Sequence, residues 1–387
     1  MSVSIDVAWK SLNKYTEELC GDKVEILKKS DSDVVILSDG MGSGVKANIL
    51  ATLTSKILKT MFDHDLSIEE SVETIAKTLP VCQVRGVAYS TFSILQIFHS
   101  GEAYLAEFDN PACIFIRDGK VVDIPFETKD IEGKKIREYR FHVKVNDCFV
   151  LMSDGTIYAG VGELLNFGWT WESIADYTLK CTKDTLSAGR LAAMLSDACN
   201  DLYMARPGDD TTVAVVRVFE QHIVNIFTGP PASKADDGKV MRAFMASEGM
   251  HIVCGGTTAK IASAHVGAPI LPNDDGTKEV PPTSRIRGMD LVTEGVLTLN
   301  KTLNLLRQFD AGDADIAFFD ELDENNGASR LASIILEQCT DVRMFVGTAA
   351  NEAQQQIGFD VSVRSNIVEQ LKKVLESLGK RVEVMYY

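Results

Sequence analysis

Along the first 220 residues, the spacing of apolar positions shifts from strand-like to helical and back. Met1 to Trp9 and Lys23 to Lys28 alternate or mix apolar and polar residues like paired strands. Val34-Val35-Ile36-Leu37 is an unbroken apolar run, which predicts a short buried strand. From Val45 to about Phe62, the residues Ile49, Leu50, Leu53, Ile57, Leu58 and Met61 recur at helical spacing. Ser67-Ile68-Glu69-Glu70 has the form of a capping box, opening a second helix that runs to about Leu79 before Pro80. Alternating strands follow over 88–98, 103–108, 113–117 and 140–145, with Asp118-Gly119 and Asn146-Asp147 as hairpin turns. A helical stretch over about 170–204 precedes a last strand at 211–219. Strands, helices and strands again predict a β-sandwich flanked by helices, an α-β-β-α arrangement.

From about Gln221 the pattern becomes strand, glycine-bearing turn, helix, repeated. Predicted strands at 222–227, 251–254, 288–292 and 342–346 end at Gly229-Pro230, Gly255-Gly256-Thr257-Thr258, Thr293-Glu294-Gly295 and Gly347-Thr348. Helices are expected over about 233–248, 255–264, 297–309, 328–338 and 366–378, with a closing strand at 381–385. Residues 266–283 hold four of the ten prolines together with Asn273-Asp274-Asp275-Gly276, so they read as a long irregular loop or hairpin. This alternation predicts a second domain, residues 221–387, with a doubly wound, Rossmann-like parallel sheet. The first domain is residues 1–220.

The length of 387 residues suits two domains rather than one core. A 45% hydrophobic content is that of a globular chain. No window nears the roughly 18 apolar residues of a membrane span. The start Met1-Ser2-Val3-Ser4-Ile5-Asp6 has no basic and apolar leader. Eight cysteines without a CxxC pair read as reduced residues of a cytoplasmic protein. The formal charge of −16 argues against nucleic acid and anionic membrane as partners.

Charge also concentrates where it is costly. Cys20-Gly21-Asp22, Ser38-Asp39-Gly40-Met41-Gly42-Ser43-Gly44, Ser153-Asp154-Gly155 and Gly208-Asp209-Asp210-Thr211-Thr212 each set aspartate at or near the end of an apolar run. Carboxylates at core strand tips need a partner, and several at one point repel unless a cation neutralises them. Oxygen-only ligands favour Mg²⁺ or Mn²⁺.

In this order and spacing, these segments resemble the PPM family of metal-dependent serine/threonine protein phosphatases, in the bacterial branch named after the sporulation stage II phosphatase. The resemblance spans roughly the first 220 residues. It implies two Mn²⁺ or Mg²⁺ ions, which in such sites polarise a phosphoryl group and activate water for in-line attack. By the same resemblance Asp39 bridges both ions, the Gly40 carbonyl binds one, and Asp22 acts through one ion and its waters. Asp154 and Asp209 serve the second ion. Asp210, where many relatives have asparagine, stands behind the ligands or exchanges roles with Asp209. The catalytic set is then Asp22, Asp39, Asp154 and Asp209. The substrate implied is a phosphoserine or phosphothreonine on a bacterial regulatory protein, such as a regulator of an anti-sigma factor.

Other residues favour plainer readings. Asp109-Asn110-Pro111 reads as a tight turn, and His64, His99 and His142 as solvated or satisfied histidines. Cys20 reads as a small buried hydrophobe, because hard metals avoid thiolate. No arginine is assigned to phosphate. In the second domain, Gly255, Gly256, Thr257, Thr258, Thr293 and Glu294 are candidate ligand loops, since helix starts beyond parallel strands favour anions. That domain is expected to sense a small molecule or hold a partner. The competing reading is a catalytically silent scaffold that keeps the fold for binding.

Overall fold

The computed structural model describes residues 3–78, 90–185, 187–312, 314–349 and 361–387. They form two compact units, residues 1–220 and 221–387.

The first unit is built on two antiparallel sheets. One has the order β1 (Val3–Leu12), β11 (Thr211–Glu220), β10 (Cys148–Met152), β6 (Ile114–Arg117), β7 (Lys120–Val121). The other runs β2 (Asp22–Lys28), β3 (Ser32–Gly40), β4 (Ser90–Phe98), β5 (Glu102–Phe108), β9 (Lys134–His142), β8 (Phe126–Ile131). Helices α1 (Gly44–Asp63) and α2 (Ile68–Thr78) follow β3, and α3 (Asp154–Ile157), α4 (Trp171–Cys181) and α5 (Ala188–Leu202) lie between β10 and β11.

Strand β3 shows why an unbroken apolar run belongs here. Successive side chains face opposite ways. Val35 and Leu37 join a core shared with Leu95, Phe149, Leu151, Ala214 and Val216 of both sheets. Val34 and Ile36 face a second core with Leu58 and Phe62 of α1 and Val72 and Ile75 of α2. A strand covered on both faces has no room for polar alternation. Helix α5 packs on β1 and β11, so the layers are helix, sheet, sheet, helix. The capping box forms: Ser67 N donates to Glu70 Oε2 at 2.9 Å, and Glu70 N donates to Ser67 Oγ at 3.2 Å.

Several expected boundaries move. The helix expected over 170–204 divides into α4 and α5, because Thr170 and Ser187 each cap a new start, accepting from Ser173 N and Arg190 N. The strand expected at 140–145 is the end of β9, which starts at Lys134 and pairs with the unforeseen β8. Leu79 and Pro80, and the first residues of the strand expected from Ala88, lie outside the described residues.

The second unit has one seven-stranded sheet: β14 (Leu271–Pro272), β15 (Ser284–Arg285), β16 (Leu291–Thr293), β13 (Met250–Cys254), β12 (Ile223–Thr228), β17 (Asp341–Val346), β18 (Arg381–Tyr386). From β16 to β18 every pairing is parallel; β14 and β15 attach antiparallel. Helices α6 (Asp237–Ala246), α7 (Gly256–Val266), α8 (Val296–Asp310), α9 (Ile316–Leu322), α10 (Gly327–Gln338) and Val361–Ser377 make the connections. Helix α9 has no counterpart in the sequence reading; Asp315 caps it by accepting from Phe318 N at 2.9 Å. Among the described residues, no helix is long and apolar enough to cross a membrane.

Candidate active site

Three strand ends and one turn carry the aspartates. The antiparallel register of β2 and β3 sets Asp22 opposite Asp39. Strand β10 runs into Ser153 and then Asp154, the first residue of α3. Asp209 and Asp210 lie just before β11, which pairs with β10. Ser153 N donates to Thr212 O at 3.0 Å, and Thr212 N donates to Ser153 Oγ at 2.8 Å, fixing the third and fourth segments side by side.

Two glycines allow the close approach. A side chain on Gly21 would put its first carbon 2.6 Å from Asp210 Oδ2. One on Gly40 would run into the Ala47 carbonyl, where the chain folds back into α1. Both positions need hydrogen for lack of space.

Asp22 is 4% exposed, and both of its carboxylate oxygens are buried without a hydrogen-bond partner. Burial raises its pKa to about 7; the nearby Ser153 and Thr212 hydroxyls pull it back, and the charges of Asp210 and Asp154 push it up. Asp210 is also 4% exposed. Its Oδ1 accepts from Lys14 N at 3.0 Å, whereas Oδ2 has no partner. Burial raises Asp210 as well. Asp39 is pushed up to about 9, first by burial and then by Asp22, Asp154, Asp209 and Asp210. Asp154 is raised by burial and then chiefly by Asp209. Each acid of the set therefore feels another, Asp22 through Asp210 and Asp154, Asp210 and Asp154 each through Asp209, and Asp39 feels all four.

Buried acids with orphan oxygens call for a cation, and an all-oxygen donor set fits a hard divalent one in kind. The carboxylates nevertheless do not make a ligand cage by themselves. Among the described residues, no group of three or more His, Cys, Asp or Glu side chains could hold a metal ion. Asp209 is the more open of the last pair, with Lys14 Nζ 3.6 Å from its Oδ1.

Several neighbours escaped the sequence reading. Lys14 meets both Asp209 and Asp210 from a loop that carries no motif. Glu17 lies at the start of α1, accepting from Ser43 Oγ at 3.0 Å, a favourable place for negative charge. Asp109 has φ 57°, as the expected turn requires, but its charge also raises Asp154. Its neighbour Asn110 is buried, donating to Ser93 Oγ at 3.1 Å and accepting from Arg137 through its carbonyl at 2.9 Å. Ser153 and Thr212 stood inside quoted motifs, so only their role was missed.

Cys20 lies 4.0 Å from Thr212 Oγ1. Burial, then Asp22, lifts its thiol to about 12, which keeps it protonated and no thiolate ligand. The ring of His64 bonds to the Thr60 carbonyl at 2.9 Å, and His99 Nε2 stands 3.7 Å from Asp33 Oδ2. His142 lies at the end of β9, where its carbonyl accepts from Arg117 Nη2 at 2.7 Å.

In the second unit the candidate loops meet each other. Gly255 has φ 121° and its N–H donates to the Thr293 carbonyl at 2.9 Å. Gly256, Thr257 and Thr258 open α7, with Thr258 buried. The Glu294 carboxylate turns back to accept from the N–H of Gly295. Gly347 N likewise donates to Thr228 O at 2.9 Å, and Arg364 Nη1 donates to Gly347 O at 3.0 Å.

Residues 30–219 match the family model of stage II sporulation protein E. Among solved structures, the chain is similar to the phosphatase domain of SpoIIE from Bacillus subtilis, at 18% identity and a TM-score of 0.43. That match covers 57% of this chain and 94% of that one. It is similar to the RsbU and RsbW domains of a Mycobacterium tuberculosis protein, at 18% identity, TM-score 0.47, and 63% and 68% coverage. It is also similar to RsbX in complex with magnesium, at 17% identity, TM-score 0.40, and 55% and 95% coverage. No curated protein matches the sequence.

Proposed function

We propose that this chain, whose residues 30–219 belong to the stage II sporulation protein E family, is a metal-dependent protein serine/threonine phosphatase. The observation that carries the reading is the place of Asp39: the β2–β3 register sets it across from Asp22, whose two carboxylate oxygens are buried without a hydrogen-bond partner among the described residues. Four carboxylates from other segments act on Asp39 at once, and burial denies them the screening of water. That arrangement supports a role for Asp39 as the carboxylate the cations would share, with Asp22, Asp154, Asp209 and Asp210 as the acids that would complete their hold. The Gly40 carbonyl, at the buried end of β3, is the neutral ligand in this reading. When bound, two Mn²⁺ or Mg²⁺ ions would supply an activated water and a polarised phosphoryl group.

The chain's own residues do the rest. Both oxygens of Asp22 and Oδ2 of Asp210 have no hydrogen-bond partner among the described residues. Thr212 and Ser153 bond to each other and hold the third and fourth segments side by side, and Lys14 holds the 209–210 turn. The substrate is a phosphoserine or phosphothreonine on a bacterial regulatory protein. A regulator of an anti-sigma factor fits the family. Residues 1–220 form the catalytic domain, and 221–387 form a Rossmann-like domain that senses a ligand or holds a partner. The test is phosphate release from a chromogenic phosphate ester with Mn²⁺ or Mg²⁺ and with chelator, on wild type and Asp39→Ala. Cation-dependent release lost in the variant supports the proposal. No release under any cation leaves the silent scaffold as the better account. Phosphoproteomics with active and inactive protein would then name the substrate.

A further inference from the structure

Residues 267–291 leave the parallel part of the second sheet and form the β14–β15 hairpin, which attaches antiparallel to β16. With the start of α10 they line an open cavity of about 1000 Å³. That volume suits a small-molecule ligand. Its wall carries Arg285-Ile286-Arg287. Ile286 is 3% exposed and anchors in the core, while Arg285 at the end of β15 and Arg287 in the turn that follows both line the cavity. Both arginines are exposed, and among the described residues neither has an acidic partner. The chain as a whole has a formal charge of −16, yet two exposed guanidinium groups stand on this one wall.

A third arginine faces the same space. Arg330 Nη1 is 3.7 Å from Asp275 Oδ2, a carboxylate that Thr283 also holds in place. Its Oδ1 accepts from Thr283 N at 2.7 Å and its Oδ2 from Thr283 Oγ1 at 2.5 Å. Another wall acid, Asp290, accepts from His251 N at 2.7 Å. The wall is held in shape by Asn273, whose N and Nδ2 donate to Thr283 O at 2.9 Å and Thr283 Oγ1 at 2.8 Å. Asp274 remains exposed on the rim, with no partner among the described residues.

We propose that this cavity binds a small molecule carrying a phosphate or carboxylate oxyanion, held by Arg285, Arg287 and Arg330. Guanidinium groups match both oxyanions with paired hydrogen bonds. Asp274 selects for a hydroxyl or amine elsewhere on the same molecule. The site is separate from the aspartates of the first unit and does not depend on their chemistry.

The test is isothermal titration calorimetry on the full chain in chelator and low salt. The probes are inorganic phosphate, pyrophosphate and citrate. Chelator keeps phosphate from being drawn to a cation in the first unit. At least one probe is expected to bind saturably at one site, and which one does so distinguishes the phosphate from the carboxylate class. Arg285→Gln with Arg287→Gln should weaken that binding by about tenfold or more. If the double variant fails to fold, Arg287→Gln alone should still weaken it measurably. Absence of binding by all three probes, or binding that the substitutions leave unchanged, overturns the proposal.

Discussion

Replacing Asp22 by Asn should stabilise the cation-free protein and remove most of the stabilisation that a divalent cation brings. Asp22 is buried and its pKa stands near 7, against an ordinary 3.8. An acid whose pKa is raised by folding binds its proton more tightly in the native state. Stability therefore falls as pH rises from the unfolded value towards the folded one. Three units at about 1.4 kcal/mol each give roughly 4 kcal/mol of destabilisation at pH 8. This is an upper bound, because Asp210 and Asp154 share the repulsion. For a domain of this size that is a change in Tm of up to about 10 °C. The assay is thermal melting in chelator, then with Mg²⁺ or Mn²⁺, at several pH values between 5 and 9. Wild type in chelator should melt lower as pH rises, and cation should restore it. The variant should melt higher than wild type in chelator at pH 8 and gain little from cation. A wild type indifferent to pH and cation, or a variant destabilised in chelator and still fully responsive to cation, would refute the electrostatic account.

Asp39→Ala should lower phosphate release by orders of magnitude while the melting transition survives, read by a chromogenic ester assay and circular dichroism. Residues 1–220 expressed alone should fold and keep basal hydrolysis, since every aspartate of the set precedes the boundary; an insoluble product would refute this. Gly155→Ala should lower both stability and activity, because its new methyl would meet the Asp210 carbonyl and the Thr211 hydroxyl; a variant that melts and turns over like wild type would count against the packing argument. In the second unit, Gly256→Ala should be tolerated, as open space surrounds that position. Gly255→Ala should lower Tm, because φ 121° strains any side chain there.

The sandwich was legible because its strands carry their own punctuation. Val34 to Leu37 end at Asp39-Gly40, Cys148 to Met152 end at Asp154, and turn residues close each hairpin. The aspartates were legible because charge at a buried strand tip is costly unless it has a purpose. What the sequence hid are contacts made by residues of ordinary type. Lys14 is one lysine among many, and only the fold brings its backbone to Asp210. Asp109 looked like any turn aspartate, and indeed makes the turn, yet it also adds to the charge on Asp154. The division of the 170–204 helix was signalled weakly, by Ser187 among polar neighbours. The arginine pair of the second unit lies in a proline-rich stretch where periodicity gives no guide. Arg285 ends a two-residue strand and Arg287 lies in the turn after it, so no alternation announces that both line one cavity.

The opposition of Asp22 and Asp39 has a kinetic side. Once the pH passes the raised pKa values of both acids, like charges placed directly across from each other weaken a pair of strands. These two form the first rung of the β2–β3 ladder, next to the Gly21 and Gly40 backbone. That end of the hairpin is where breathing should be fastest, with amide protons near residues 21–23 and 38–40 exchanging ahead of the sheet's centre. Charge neutralisation at the tip would then act as a latch on the ladder, slowing exchange along strands that also build both cores. Through that ladder, a cation held at one edge would change how firmly the whole sandwich is shut.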